Sequence, residues 1–491
     1  MTFITALESE LNTTETLNGA KAYKSTLNKC LDLFGKIGAC RNNIKQAEKL
    51  FDLAYREDPE TATRILFWVR DVRGGSGERS IFRTLFKNLV QKNQELGQKL
   101  VALVPEYGRW DDLLVLENTS VWNQVLDLIT HQLNTDQIMM ASGGQVSLLA
   151  KWLPSINASS KDSKRLGREI AEHMVLTERQ YRKTLARLRS HIKIVEQQMC
   201  SKEWSAIDYS KVPSRASFMY RKAFGKQDPT RYQKYLTDVE NGKAKINAST
   251  LYPYDVVDQY LNKGARGDKT IDLQWEALPN YMGDNLLNGL VVADVSGSMT
   301  QNNGLPLAVS ISLAMYIAER NASPVWKDKF ITFSSQPELQ TVVGKTIGER
   351  IQNLSRADWG YNTDLISVFK TILKAAKSKD VAPVDMPQKV IIVSDMQFDQ
   401  ACVSNKRTSF EHIEKLYRAS GYELPQLVFW NVNAIGANVP MTVADYNTCL
   451  VSGCSPSILK SVLKGEIVTA VDMMSDAVYS ERYVQVGAAF N

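Results

Sequence analysis

The hydrophobic pattern of the chain changes near residue 285, and this change limits the possible folds more than any other feature. Before it, long segments place apolar residues every three or four positions, a spacing that predicts amphipathic helices. After it, short apolar runs rich in β-branched residues alternate with helical segments. Such alternation predicts a doubly wound, mostly parallel sheet that is buried on both faces. The predicted strands are Leu290–Ala293, Phe330–Phe333, Val390–Val393 and Leu427–Trp430, with weaker ones near Gln340–Val343 and Thr448–Val451.

The same change separates two expected fold classes, α-helical and α/β. The chain has 491 residues, and that length suffices for roughly two to four domains. We predict a multidomain protein with a helical-repeat domain over 1–280, a Rossmann-like α/β domain over 286–466 and a tail over 467–491 that packs back on the protein. Stacked helix pairs suit the helical part, although no strict sequence repeat is present.

Positive charge is concentrated in the middle of the chain. The whole sequence has a formal net charge of +6, whereas residues 151–250 alone contain 21 basic and 10 acidic side chains, a net charge of +11. A concentration of one sign favours a polyanionic partner, of which nucleic acid is the first candidate. A solvated basic face without a partner is the alternative that charge alone leaves open.

Cysteine and histidine usage argues against two kinds of site. The six cysteines form no CxxC pair and only four histidines are present, so neither a structural zinc site nor a disulfide scaffold is expected. The first residues lack the basic and apolar segments of a secretory signal, and no apolar run approaches about 18 residues. We therefore expect a cytoplasmic, reducing setting and no membrane span.

One carboxylate and two hydroxyl residues follow the first predicted strand directly. Asp294, Ser296 and Ser298 are spaced by two, in a loop beyond the carboxyl end of that strand. Thr363 opens a later helix and Asp395 ends a later strand, so both should reach the same edge of the sheet. Hard oxygen ligands of this kind suit Mg²⁺, with Mn²⁺ or Ca²⁺ as alternatives. Without an ion, Asp294 and the serines would only cap a helix.

These five residues together resemble the metal-ion-dependent adhesion site of von Willebrand factor A domains. The resemblance covers about residues 287–465. It implies that the ion keeps one coordination position open and that an acidic group of a protein partner completes it. It therefore implies metal-dependent binding rather than catalysis.

The clearest helical segment of the first half is Thr177–Met199. Thr177 and Gln180 have the spacing of a capping box, and apolar residues recur behind them every three or four positions. On a helical wheel the cations fall on the opposite side, so we expect one buried stripe and one basic face. The basic run continues at Arg215. The cations of the helix are Arg179, Arg182, Lys183, Arg187, Arg189 and Lys193.

Four strings of the first half occur in an order typical of one family of RNA-binding proteins. They are RDVRGGSGER at 70–79, PEYGRWDDLL at 105–114, KWLPS at 151–155, and YRK at 181–183 leading to VPS at 212–214. In this order, ahead of a von Willebrand A domain, they resemble the TROVE family, which includes the Ro autoantigen ribonucleoproteins. They are similar above all to an uncharacterised TROVE-like branch of plants and large DNA viruses.

The resemblance implies a ring of HEAT-like helical repeats, closed by the α/β domain, in a monomeric protein. Single-stranded RNA ends would enter a positively charged hole, and duplex RNA would lie on a basic outer face. The implied ligands are small noncoding RNAs and misfolded RNAs.

Other candidates for RNA contact lie outside the basic helix. Arg70, Arg73 and Arg79 flank a glycine-rich turn whose amides could hold a phosphate. A tight interhelical turn with a structural Arg–Glu pair is the alternative. Lys151 and Trp152 place a cation beside an aromatic ring, and this tryptophan could equally belong to the core.

Three functions are compatible with these features. The leading hypothesis is a non-catalytic RNA-binding protein of the Ro ribonucleoprotein type with a Mg²⁺-dependent partner site. The second is a metal-dependent protein-interaction scaffold that does not bind RNA. The third is a Mg²⁺-dependent phosphohydrolase with Asp294 as nucleophile, which is disfavoured because Ser296 stands where the DxDx[TV] motif needs a second aspartate.

Overall fold

A computed structural model describes most of the chain. The described residues are 11–192, 194–282, 288–321, 323–333, 337–354, 363–399, 409–436, 438–443, 445, 447–462 and 469–491. Lys193, one of the predicted RNA-binding residues, lies outside them.

Helices make up the first half of the described chain after a short two-stranded hairpin. The strands of the hairpin are β1 (Thr13–Glu15) and β2 (Lys21–Tyr23). The helices up to residue 152 are α1 (Lys29–Ile37), α2 (Ile44–Glu57), α3 (Pro59–Arg70), α4 (Arg79–Lys92), α5 (Gln94–Leu100), α6 (Val104–Tyr107), α7 (Trp122–Ala141) and α8 (Leu149–Trp152). Those that follow are α9 (Lys161–His173), α10 (Glu178–His191), α11 (Val195–Cys200), α12 (Ser214–Gln227), α13 (Pro229–Glu240), α14 (Pro253–Leu261) and α15 (Lys269–Glu276).

Strands and helices alternate in the second half. The strands are β3 (Gly289–Ala293), β4 (Lys329–Thr332), β5 (Glu338–Thr341), β6 (Lys389–Ser394), β7 (Gln426–Asn431) and β8 (Thr448–Ser452). The helices are α16 (Gln301–Arg320), α17 (Ile347–Leu354), α18 (Leu365–Ser378), α19 (Ser409–Ala419), α20 (Leu459–Val462), α21 (Ala470–Val478) and α22 (Val484–Ala488).

The six strands β3–β8 form one sheet in the order β5-β4-β3-β6-β7-β8. All neighbouring pairs are parallel except β4 and β5, which pair antiparallel at one edge. Every residue of β3, β7 and β8 is buried, as continuous apolar strands require. A helical region followed by a Rossmann-like sheet confirms the predicted fold class.

The strand order reverses between β3 and β6. From β3 the chain moves outward through β4 to β5, and then returns to place β6 on the other side of β3. Loops that leave adjacent strands in opposite directions open a crevice at the carboxyl ends of those strands, where ligands of such sheets bind. A ligand site is therefore expected in the loops that follow β3 and β6.

The described chain forms two compact units. The α/β unit contains Met1–Ile81 and Ala248–Tyr483, and the helical unit contains Phe82–Asn247 and Val484–Asn491. The first helices thus group with the sheet, whereas the predicted boundaries placed them in a domain over 1–280. The boundaries 1–280, 286–466 and 467–491 stay predictions.

Helix α1 packs directly against β8 within the α/β unit. Ser452 donates its hydroxyl to the Phe34 carbonyl at 2.7 Å and accepts the Gly38 amide at 2.9 Å. A Cβ added at Gly35 would lie only 2.4 Å from a Leu450 side-chain carbon, so glycine lets helix and strand approach closely. The first helices are therefore part of the layer that covers this edge of the sheet.

Helix α10 begins as predicted and ends earlier. Thr177 accepts the Gln180 amide at 3.3 Å, and the Gln180 side chain accepts the Thr177 amide at 2.8 Å, which confirms the capping box. The helix ends at His191, and a separate helix, α11, starts at Val195. The prediction of one helix over Thr177–Met199 was therefore wrong, because the apolar spacing continues across the break.

None of the helices in the described part of the chain is long and apolar enough to cross a membrane.

Candidate functional site

The predicted metal residues lie at the point where the strand order reverses. Asp294 follows β3, and Asp395 follows β6, its parallel neighbour. The last residue of β3, Ala293, is in register with Val393, so the two aspartates leave the sheet almost side by side. Both carboxylates are fully buried, with 0% exposure.

The loop after β3 folds back on Asp294. Ser296 donates its amide to Asp294 Oδ1 at 2.9 Å, and the hydroxyls of Ser296 and Ser298 lie 3.1 Å apart. A short 3₁₀ turn, Gly297–Thr300, begins immediately after Ser296. The loop thus gathers one carboxylate and two hydroxyls, as the spacing of two predicted.

Thr363 and Asp395 supply two buried oxygens without partners. Thr363 Oγ1 and Asp395 Oδ2 make no hydrogen bond with any residue in the described ranges, although both side chains are 0% exposed. Leaving buried polar oxygens unpaired costs about 1–3 kcal/mol each. Coordination to a cation is one way in which such a buried oxygen gains a partner.

The turn after Asp395 is strained in a way that fixes its carboxylate. Met396 has φ +63°, a left-handed conformation that non-glycine residues rarely adopt, and its side chain is buried. Its amide bonds to the Ser394 hydroxyl at 3.0 Å, and the next amide, of Gln397, bonds to Asp395 Oδ1 at 3.1 Å. These bonds leave Oδ2 as the carboxylate oxygen available to a ligand.

Burial and mutual repulsion disfavour the charged forms of both aspartates. Burial, together with the charge of Asp395, raises the pKa of Asp294 to about 7. Burial also raises the pKa of Asp395, although the Ser298 hydroxyl opposes that shift. A divalent cation would stabilise the ionised forms of both carboxylates and reduce the repulsion between them.

The donor set fits a hard divalent cation. Asp294, Ser296, Ser298, Thr363 and Asp395 provide only oxygen ligands, and two carboxylates balance a 2+ charge. No group of three or more His, Cys, Asp or Glu residues that could hold a metal occurs in the described ranges. A site here would therefore depend on hydroxyls, and on water or a partner for its remaining positions.

One contributing residue was missed at the sequence level. Ser394 is 0% exposed, and its hydroxyl donates to Asp294 Oδ2 at 2.6 Å while accepting the Met396 amide. It thereby couples the loops after β3 and β6. Its position as the last residue of a strand whose register places it beside Asp294 is the signal that could have revealed it.

Helix α10 carries most of the predicted basic surface of the helical unit. Arg179, Arg182, Lys183 and Arg187 are exposed, and no acidic residue in the described ranges pairs with any of them. Within the described ranges, Arg182 donates a single hydrogen bond, to Asn157 Oδ1 at 3.4 Å. These four cations are therefore open to an anionic ligand.

A groove of about 470 Å³ runs beside this face of α10. Arg179, Arg182 and Lys183 line it together with Ser155 and Asn157. Ile156, Leu185 and Ala186 add apolar surface to the same lining. The cations and hydrogen-bonding side chains of this lining suit a phosphodiester backbone.

Arg189 does not belong to the open basic face. Its guanidinium donates to the carbonyls of Ala150 at 2.7 Å and Leu153 at 2.9 Å, and to the Ser155 hydroxyl at 2.8 Å. The prediction that Arg189 binds RNA was wrong, because these three bonds use both edges of its guanidinium. They hold the turn that follows α8. Helical periodicity gives the direction of a side chain but not the carbonyls it meets.

The ring of Trp152 is contacted by two cations of the protein. The Arg109 guanidinium stands 3.9 Å from the ring centroid, and Lys151 Nζ stands 5.5 Å from it. Arg109 also forms a bidentate pair with Asp111, at 2.9 and 2.8 Å. Trp152 is half-buried, so Lys151 and Trp152 contribute at most an edge to a nucleic-acid surface.

The glycine-rich turn at 74–77 is a structural turn. Its amides are used inside the protein: Gly75 bonds to the Asp71 carbonyl at 3.1 Å, and Ser76 to the Trp68 carbonyl at 3.2 Å. Glu78 forms a bidentate pair with Arg41, with contacts of 2.6 to 3.2 Å. The expectation of a phosphate-binding turn is corrected in favour of the Arg–Glu alternative.

The arginines around this turn differ in their accessibility. Arg70 is 2% exposed within α3, so its predicted contact with RNA is incompatible with its burial. Arg73 and Arg79 are exposed, as is Arg215 at the start of α12. These three stay predictions as RNA ligands.

Both halves of the chain match family models whose function is not assigned. Residues 16–94 and 117–285 match the model described as a domain of unknown function, DUF2828, which together is half of the chain. The chain belongs to the DUF2828 family. Residues 288–486 match a second domain of unknown function, DUF7788, so in this DUF2828 protein the sheet and its metal residues lie in the second matched region.

A relative from a virus shares almost the whole chain. The uncharacterized protein L728 of Acanthamoeba polyphaga mimivirus is 31% identical over 94% of this chain and 86% of its own length. It agrees with the expected relationship to proteins of large DNA viruses. Among solved structures, the Ro (RSR) protein of Deinococcus radiodurans is similar at 12% identity and a TM-score of 0.38, covering 90% of this chain and 92% of its own. A likeness of this level says nothing about ligands or residues.

Proposed function

We propose that this DUF2828 protein is a non-catalytic RNA-binding protein that also binds a divalent cation at the carboxyl edge of its sheet. The expected RNAs are small noncoding or misfolded RNAs, which offer both single-stranded and duplex segments. The cation site would hold Mg²⁺ through Asp294, Ser296, Ser298, Thr363 and Asp395. Mg²⁺ would supply a positive charge that attracts an acidic group of a protein partner.

The observation that carries the RNA-binding proposal is the unpaired basic face of α10. Basic side chains on ordinary protein surfaces usually alternate with acidic ones, and elsewhere in the helical unit Arg165, Arg168 and Arg231 each have a carboxylate partner. On α10, Arg179, Arg182, Lys183 and Arg187 form a row that has no carboxylate partner in the part of the chain that the structure describes. Neutralising phosphates and releasing their counterions is the favourable use of such a row.

RNA that copurifies with the protein tests this proposal. We expect crosslinking followed by sequencing to recover RNA from the wild-type chain, and to recover much less from Arg182→Glu/Lys183→Glu/Arg187→Glu. The matched control is Lys370→Glu/Lys374→Glu/Lys377→Glu, which places the same charge change on exposed positions of α18 in the α/β unit. Equal RNA recovery from both triple variants would contradict a role for α10.

A second candidate function is a metal-dependent protein-interaction scaffold without RNA binding. The two partnerless oxygens of Thr363 and Asp395 favour it, because they argue for a cation independently of the basic face. Calorimetric titration with Mn²⁺ separates the two functions when it is combined with RNA recovery. Saturable Mn²⁺ binding that Asp294→Ala abolishes, together with no RNA above background, would establish the scaffold instead.

A further inference from the structure

The hairpin β1–β2, together with Asn12 and Ser25 at its base, lies against the loop that follows Asp395. We call residues 12–25 the N-terminal hairpin and residues 396–399 the aspartate loop. Asn12 closes the base of the hairpin, donating to the Ser25 carbonyl at 2.8 Å and accepting the Ser25 amide at 3.1 Å. The two ends of the hairpin are therefore joined by hydrogen bonds within the hairpin itself.

Three hydrogen bonds join the tip of the hairpin to the aspartate loop. Thr16 donates its hydroxyl to the Phe398 carbonyl at 2.7 Å, and Asn18 donates to the Gln397 carbonyl at 2.7 Å. The Leu17 amide donates to Gln397 Oε1 at 2.9 Å. Gly19 also forms an isolated β-bridge with Asp399. The Thr16 bond is buried, since Thr16 is only 6% exposed, whereas the bonds of Leu17 and Asn18 are partly buried.

The aspartate loop divides its backbone groups between the hairpin and the metal residues. Its carbonyls, of Gln397 and Phe398, accept the hairpin bonds. Two of its amides bond to the predicted ligands: Gln397 donates to Asp395 Oδ1 at 3.1 Å, and Asp399 donates to the Thr363 carbonyl at 3.1 Å. Asp399 also accepts the Thr363 amide at 2.7 Å. Both ligands with a partnerless oxygen are thus held by this loop.

We propose that the N-terminal hairpin positions Asp395 and Thr363 for the cation, and that Thr16 and Asn18 are its positioning residues. The proposal rests on the divalent-cation site of the proposed function. An ion requires its oxygens at fixed separations, and a carboxylate keeps its orientation only while the groups that bond to it are held. The hairpin holds the aspartate loop, and the loop holds the two ligands.

The test is Mn²⁺ affinity of the full chain, measured by calorimetric titration. We expect Thr16→Ala/Asn18→Ala to bind Mn²⁺ about three- to tenfold more weakly than wild type, a smaller loss than the 10–100-fold that direct partners of metal ligands typically show. Thr16→Ser/Asn18→Ala retains the hydroxyl at position 16 and should bind Mn²⁺ with the affinity of Asn18→Ala alone. Thr14→Ala is the control within the hairpin, because the Thr14 side chain makes no hydrogen bond with the described residues.

A general loss of stability would be recognised by a second control. Ser76→Ala removes a buried hydroxyl bond to the Ser452 carbonyl at the end of β8, and we expect it to lower the unfolding temperature without changing Mn²⁺ affinity. Wild-type affinity in Thr16→Ala/Asn18→Ala, or an equal loss in Ser76→Ala, would overturn the positioning role. Absence of saturable Mn²⁺ binding in the wild-type chain would overturn the cation site itself, and the inference with it.

Discussion

At the scale of single residues, Asp395 shows most clearly how the metal site is built. Its Oδ1 is bonded to the Gln397 amide and its Oδ2 has no partner among the described residues. Burial raises its pKa, so the ionised form that a cation needs is held at a free-energy cost in the absence of the cation. The site is in this sense destabilising until it is occupied.

Asp395→Asn should therefore stabilise the metal-free protein. The amide keeps an acceptor for the Gln397 amide and removes a buried charge beside Asp294, so we expect the free energy of unfolding at pH 7.5 to rise by roughly 1–2 kcal/mol. Thermal unfolding in EDTA and in Mg²⁺ measures both effects. The wild-type unfolding temperature should rise in Mg²⁺ and that of the variant should not; a variant less stable than wild type in EDTA would contradict the electrostatic account.

Arg187 and Arg189 provide a matched pair on one helix. Arg189 makes three hydrogen bonds within the helical unit, whereas Arg187 is exposed and has no ion pair with the described residues. Arg189→Ala should lower the free energy of unfolding by about 2–3 kcal/mol, because it leaves buried carbonyls unpaired. Arg187→Ala should change it by less than about 0.5 kcal/mol and should weaken RNA binding. Chemical denaturation of both variants checks the contrast, which equal stabilities would refute.

At the scale of elements, the sheet could be predicted and its cover could not. Strands β3 and β6 could be predicted because parallel strands are buried on both faces and appear in the sequence as continuous apolar runs. Asp294 and Asp395 were then predicted as site residues because they come directly after these strands. The packing of α1 on β8 joins Phe34 to Ser452. No local pattern indicates which distant strand a helix will meet, so the packing of α1 on the sheet could not be predicted from the sequence.

The contact between α1 and β8 makes a prediction about glycine. Gly35→Ala would place its Cβ 2.4 Å from the Leu450 side chain, so we expect a loss of about 1–3 kcal/mol in the free energy of unfolding. Gly225→Ala in α12 is the control: no atom of another described residue outside the helix backbone lies within 4 Å of its added Cβ, so it should stabilise the helix by up to about 1 kcal/mol. Denaturant titration of both variants tests the packing, and a neutral Gly35→Ala would contradict it.

At the scale of the whole molecule, the two chemistries lie in different compact units. The cation residues are in the α/β unit and the basic face of α10 is in the helical unit. Substitutions in residues that share no partners usually act additively. Charge reversal on α10 should thus leave Mn²⁺ affinity unchanged, and Asp294→Ala should leave RNA affinity unchanged.

The central claim is that α10 binds the phosphate backbone of RNA, and the salt dependence of RNA affinity tests it most directly. Fluorescence anisotropy with a short single-stranded RNA should show that Arg182→Glu/Lys183→Glu/Arg187→Glu binds far more weakly than wild type. Arg182→Ala/Lys183→Ala/Arg187→Ala should reduce the magnitude of the negative slope of log K against log salt by about 2. Each phosphate contact that is lost removes about 0.7 from this slope for single strands. The α18 variant Lys370→Glu/Lys374→Glu/Lys377→Glu should keep the wild-type slope. An unchanged slope in the α10 alanine variant would contradict the account.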